Sequence, residues 1–215
     1  MILKILKVDS GFVEKTNCYI VEDENTKDAM VIDPGGSVDD ICELLDILGS
    51  KVKYIYLTHC HGDHIAGVKE LKERKGGKIL IHRDDAEGLH NSNINLREHI
   101  GLTNENLEAD SRIDDNDILH IGNIECKVIH TPGHTAGGSS LYLEKERLVF
   151  TGDTLFKGTW GRTDLPTGDI NKIMQSICNK LLVLPDDTIV YPGHGEMTRI
   201  RYEEPIYYNL MPGIE

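Results

Sequence analysis

The chain has 215 residues, 39% hydrophobic and 27% charged, with a formal net charge of -13. That is enough apolar material for a buried core and excludes a disordered, low-hydrophobicity chain. The acidity argues against generic binding to nucleic acid or anionic membrane, and no apolar run nears the roughly 20 residues of a membrane span. The N-terminus lacks the long apolar segment of a secretory signal, so a cytoplasmic protein is expected. Cys18, Cys42, Cys60, Cys126 and Cys178 are odd in number and show no Cys-x-x-Cys spacing, which predicts reduced thiols.

Short β-rich runs are predicted at residues 2–8, 17–22 and 29–33, the last closed by Pro34-Gly35-Gly36. Ser37 then reads as the N-cap of a helix whose Val38, Ile41, Leu44, Leu45 and Leu48 recur at helical spacing up to Gly49. A buried strand over residues 52–57 leads to a helix over about 64–74, which Gly76-Gly77 closes, and to a strand over 78–82. Residues 83–110 are polar and poorly periodic and read as a short helix with a long loop, a connection suited to a pocket wall. Strands follow at 117–121, 124–129, 139–143 and 147–151. A helix over about 170–182 capped by Asp169, a strand over 188–191 and a tail helix over 198–210, disturbed by Pro205, complete the chain. Two packed sheets with helices outside would bury both sets, an α+β fold in four layers, αββα.

The chemistry concentrates in Thr58-His59-Cys60-His61-Gly62-Asp63-His64, directly after the fourth strand. On an extended segment His59 and His61 point the same way, so both rings can face one ion, while Cys60 points opposite and reads as packing. Gly62 permits a sharp turn, after which Asp63 and His64 can face a second point. Three further donors each follow a strand and a glycine: His134 in Thr-Pro-Gly-His-Thr, Asp153 in Thr-Gly-Asp-Thr and His194 in Tyr-Pro-Gly-His-Gly. Imidazole and carboxylate are ordinary ligands for zinc, iron or manganese. Taken singly, each would be a solvated histidine, a helix cap or a turn residue. Together they predict seven ligands converging at one edge. His82, His90, His99, His120 and His130 lack such a context and read as surface or satisfied core groups.

These motifs resemble the metallo-β-lactamase superfamily, over about residues 17–195, and within it glyoxalase II and its shorter bacterial relatives. The resemblance implies the αββα sandwich and a two-metal site at one edge of the sheets. His59, His61 and His134 would hold the first ion, Asp63, His64 and His194 the second, and Asp153 would bridge them. Asp33 would play a structural role nearby. The implied cofactors are two divalent ions, zinc first, with iron or manganese as alternatives. The implied activity is hydrolysis of a thioester of the S-lactoylglutathione kind by a hydroxide between the ions, with Asp63 and Asp153 orienting the nucleophile. Arg162 would bind an anionic part of the substrate, Phe156 and Trp160 could line the entrance, and Lys157 reads as a surface charge.

The chain also departs from glyoxalase II. Only 21 residues follow His194, so one domain over 1–215 is expected, without the C-terminal helical domain that serves glutathione. Asp164 stands where glyoxalase II has a tyrosine contacting glutathione. The segment Gly161-Arg162-Thr163-Asp164 also resembles persulfide dioxygenases, the alternative reading, with one iron at His59, His134 and Asp153. A β-lactamase role ranks lower. The partner expected is a small-molecule thioester, with no nucleic acid and no membrane, and a homodimer is left open.

Overall fold

Two six-stranded sheets face each other through an apolar seam, seen here in a computed structural model that describes residues 1–10 and 15–210. The expected domain span, 1–215, includes residues 11–14 and 211–215, which lie outside the described residues. The first sheet takes β1 (Ile2–Val8), β2 (Thr16–Glu22), β3 (Asp28–Ile32), β4 (Lys51–Leu57), β5 (Lys78–His82) and β6 (Ser111–Ile113) in that order. β1 to β3 are antiparallel neighbours, while β3 to β6 run parallel. The second sheet is built from β7 (Ile118–Ile121), β8 (Ile124–His130), β9 (Ser139–Leu143) and β10 (Leu148–Gly152). After a short hairpin of β11 (Leu155–Phe156) and β12 (Thr159–Trp160), it gains β13 (Ile189–Pro192) and β14 (Thr198–Arg199). Its order is β14-β13-β10-β9-β8-β7, with β10 and β13 parallel.

Strand alternation sorts the core into layers. In β2, Tyr19 and Val21 enter the seam with Met30, Ile32, Tyr56 and Phe150, whereas Cys18 and Ile20 face the other way. That outer face is covered by α1 (Val38–Leu48) and by α3 (Val68–Lys75), which follows the single-turn α2 (Gly62–Ile65). The outer face of the second sheet buries Val149 and Val190 against α5 (Ile170–Ser176) and α6 (Ile200–Leu210). The expected αββα layering is observed.

Several local expectations are corrected. Ser37 does not cap α1 with its side chain: its backbone is left-handed and its Oγ accepts from Asp9 N instead. The helix expected over 64–74 is broken, because Gly67 N donates to the Pro34 carbonyl at 2.8 Å and the chain restarts as α3. The helix expected over 170–182 is capped by Asp169 as predicted, but it passes into a π-helical turn at Ile177–Leu181. Residues 83–110 hold the expected short helix, but less of the stretch is loop than expected. They carry 3-10 turns at Arg83–His90 and Arg97–Ile100 flanking α4 (Ser92–Asn95). α6 runs on through Pro205, forgoing the bond that residue would make to the Arg201 carbonyl. All five cysteines are free. Among the described residues no helix is long and apolar enough to cross a membrane.

Candidate metal centre

Every predicted donor leaves the C-terminal end of a strand at one edge of the sandwich. His59 and His61 follow β4, with Asp63 and His64 on α2, while His134, Asp153 and His194 follow β8, β10 and β13. These last three strands share one direction, since β9 is antiparallel to both β8 and β10 and β13 is parallel to β10.

The structure brings all seven donors together as two triads. The donor atoms of His59, His61 and His134 lie within 4.8 Å of one another, as do those of Asp63, His64 and His194. Asp153 sits between the triads. Its Oδ1 is 3.4 Å from His64 Nε2, and its Oδ2 is 3.5 Å from His134 Nε2 and 3.6 Å from His194 Nε2. Asp63 Oδ2 approaches His194 Nε2 at 3.2 Å and His64 Nε2 at 3.7 Å. Gly193 makes the approach feasible: a Cβ there would run into Asp153 Oδ1 and His64 Cε1.

The outward nitrogens are held by protein oxygens. His64 Nδ1 donates to Asp33 Oδ2 at 2.9 Å, His134 Nδ1 to the Arg162 carbonyl at 2.8 Å and His194 Nδ1 to the Lys15 carbonyl at 3.1 Å. The Thr58 hydroxyl donates to Asp33 Oδ2 at 2.6 Å, so it accepts from His59 Nδ1 at 3.1 Å. In these four rings the partner accepts from Nδ1–H and leaves the Nε2 edge facing inward, the edge that a ligating histidine presents to a metal. His61 differs, because its Nδ1 faces His134 Nε2 at 2.8 Å.

Three buried atoms at the centre test whether a cation fits. His59 Nε2, His61 Nε2 and Asp153 Oδ1 have no hydrogen-bond partner, a costly state for buried polar atoms. Burial, reinforced by neighbouring imidazoles, pushes the His59 and His61 pKa values well down, so both rings are neutral as ligands require. Burial would also lower His64, but Asp153, Asp63 and Asp33 outweigh it and raise His64 to about 10. His194 is raised in the same way, against burial, by Asp153 and Asp63. Burial works against an ionised Asp63, yet His64 and His194 hold it well below the usual carboxylate range. The carboxylates thus draw positive charge to the second triad. The donor set fits a divalent cation at each triad.

Asp33 anchors both ends of the histidine motif. Besides its bonds to His64 and the Thr58 hydroxyl, its Oδ1 accepts from Thr58 N at 2.8 Å. Its backbone adopts φ 50°, a conformation costing of order 1 kcal/mol for a non-glycine residue.

A cavity of about 830 Å³ opens over the donors. Phe156 and Arg162 line it, whereas Trp160 does not: its ring packs beside Tyr207 and joins the outer core near α5. Lys157 is exposed and paired with Glu196. Residues 83–110 contribute Asn93, Asn95, Leu96, His99 and Ile100 to the wall.

Sequence reasoning missed Asp85. This buried carboxylate accepts from Cys60 N at 3.1 Å, the Thr135 hydroxyl at 2.7 Å and Gly137 N at 2.5 Å, tying the His59–His61 loop to the His134 loop. Burial pushes its pKa up against those bonds. It lies in a polar stretch with nothing in its spacing to mark it. His82 and His130 also come together, stacked at 3.9 Å beside Asp84. His82 caps the following 3-10 turn and His130 Nε2 donates to the Ala136 carbonyl, so both are satisfied, His82 buried and His130 half-buried.

Residues 11–194 match the Metallo-beta-lactamase superfamily profile. The chain belongs to the metallo-beta-lactamase superfamily. With that membership come a hydrolase chemistry and binding of divalent metals. Among superfamily members, it is 34% identical over 190 residues to the hydroxyacylglutathione hydrolase GloC of Haemophilus influenzae, covering 87% of this chain and 89% of that one. The crystal structure of the BLEG-1 B3 metallo-beta-lactamase matches with a TM-score of 0.88 at 32% identity, over 95% of this chain and 97% of that one. ETHE1 from Myxococcus xanthus matches with a TM-score of 0.78 at 27% identity, over 99% and 92%. These relatives bear names of different activities on one fold, so the chemistry of this chain has to be argued from its site.

Proposed function

We propose that this chain is a metal-dependent thioester hydrolase that uses two divalent ions, zinc in the first instance. His59, His61 and His134 would hold one ion, and Asp63, His64 and His194 the other, with Asp153 shared. The observation that carries the reading is the place of Asp153 between the triads: its Oδ2 is 3.5 Å from His134 of the first and 3.6 Å from His194 of the second, and its Oδ1 is 3.4 Å from His64 of the second. A one-metal site has no use for a complete second triad. Two ions bound there would supply Lewis acidity and lower the pKa of water, making hydroxide available near neutral pH.

The chain's own residues supply position and shape. Asp63 and Asp153 line the cavity floor, where they would orient a nucleophilic water toward a carbonyl. Phe156 presents an apolar wall next to His194, their ring centroids 6.3 Å apart. Arg162 stands at the rim and fixes His134 through its carbonyl. No buried general acid is needed for the leaving group, because a thiol ionises at about 8.5. The 34% identity to GloC supports a thioester as the substrate.

Asp153→Ala in the zinc-loaded protein tests the reading. Thioesterase activity should fall by roughly 100-fold or more, the scale of losing one electrostatic element of a preorganised site. Undiminished activity with full metal content would sink the proposal. The likeness to ETHE1 favours one competing reading, a persulfide dioxygenase with a single iron at His59, His134 and Asp153. Metal analysis with oxygen consumption on glutathione persulfide separates the two. The likeness to BLEG-1 adds a chromogenic β-lactam to the same screen.

A further inference from the structure

The cavity over the donors joins a polar floor to an apolar wall made by Leu96, Ile100, Phe156, Leu165 and Pro166. Among the described residues that line it, Arg162 is the one lysine or arginine, and residues 11–14 and 206–215 contain neither in sequence. That cation already has a partner. Asp164 accepts from Arg162 Nε and Nη2, both at 2.7 Å, a fork-to-fork pair. Beside Phe156, Lys157 is taken up by Glu196 at 2.6 Å. Behind Gly62, the buried Arg97 faces Glu105 at 3.3 Å. A carboxylate arriving at the rim would therefore meet Asp164 at the very point where it meets Arg162.

We propose that the cavity selects thioesters whose acyl and thiol groups are uncharged and apolar, and that Asp164 disfavours thiol carriers bearing carboxylates, glutathione included. The chemistry of this inference rests on the thioesterase reading, but the binding preference does not. The volume suits a ligand of that kind, since small-molecule pockets run about 300–1,000 Å³ with mainly apolar linings. The Arg162–Asp164 pair is solvent-exposed and hence modest in strength. A substrate carboxylate can displace Asp164 but not remove its charge. The discrimination is therefore graded, about five-fold, rather than absolute.

The test compares two non-hydrolysable thioethers, S-hexyl-N-acetylcysteamine and S-hexylglutathione, by calorimetric titration of the zinc-loaded protein. The wild-type chain should bind the neutral thioether about five-fold more tightly. Asp164→Asn should strengthen S-hexylglutathione by about the same factor and leave the neutral thioether within about two-fold. Tighter binding of S-hexylglutathione by the wild-type chain overturns the inference. So does an unchanged ratio in Asp164→Asn, or failure of the neutral thioether to bind at millimolar concentration. Hydrolysis of the hexanoyl thioesters of the same two thiols separates the claims. If neither ester is cleaved while the thioether preference holds, the thioesterase reading fails and the inference about the cavity stands. If both are cleaved with the glutathione ester preferred, the thioesterase reading stands and the inference fails.

Discussion

Asp33 Oδ2 holds His64 Nδ1 at 2.9 Å while the same carboxylate takes Thr58 N and its hydroxyl. One side chain thus sets the ring angle at the end of the histidine motif and the loop geometry at its start. Asp33→Ala should leave His64 free to turn and to change tautomer. Zinc affinity at the second triad should drop by about 10- to 100-fold, the usual cost of losing a partner behind a metal-binding histidine. Chelator competition with metal counting checks this, and two ions retained at wild-type affinity would count against it.

Gly193→Ala places a methyl group against Asp153 Oδ1 and His64 Cε1. Both side chains must move, and overpacking of this kind costs about 1–3 kcal/mol. The expected result is a lower melting temperature together with loss of metal. A variant that melts lower but keeps both ions would show that the donors adapt.

Loss of Asp85 strikes the scaffold beneath the first triad. Asp85→Ala leaves Cys60 N, the Thr135 hydroxyl and Gly137 N without their acceptor. A destabilisation of about 3 kcal/mol is expected, since each buried unsatisfied group costs about 1–3 kcal/mol and relaxation recovers part. Urea denaturation of the metal-free protein measures it, and a change below about 1 kcal/mol would contradict the buried clamp.

Metal uptake should release protons and strengthen with rising pH. In the metal-free chain His64, raised to about 10, carries a proton at neutral pH that a cation must displace. His59 and His61, pushed down, have none to give. Calorimetry in two buffers of different ionisation heat counts the released protons. The sign for stability is separate. A folded-state pKa above the unfolded value near 6.5 gives stabilisation that is complete below 6.5 and fades as pH rises through about 10. The metal-free protein should therefore lose stability between neutral pH and about 10 in thermal melts.

The layers and the donors were legible in sequence for one physical reason. Short β-rich runs such as residues 17–22, and glycine-led loops at His134, Asp153 and His194, are local patterns with a fixed meaning. Within residues 83–110 a short helix was legible but the 3-10 turns were not, because they rest on polar side chains rather than on periodicity. Asn91 and Asn95 each accept from a backbone N–H two residues on, and His82 does the same. Asp85 went unnoticed, and Trp160 could be read as packing or as a substrate contact, because their places depend on distant partners, Thr135 for one and Tyr207 for the other. The break at Gly67 likewise depends on the Pro34 carbonyl, which no helical pattern announces.

The donors are divided between the two sheets: His59, His61, Asp63 and His64 follow a strand of the first, and His134, Asp153 and His194 follow strands of the second. A cation gripped by both sets is a reversible cross-link between the two halves, closing long chain loops as a disulfide would without oxidation. Stripping it should release the union of the sheets at that edge before either sheet frays internally. With ions bound as proposed, metal supply would govern how firmly the halves stay joined, and with that the lifetime of the folded chain as well as its chemistry.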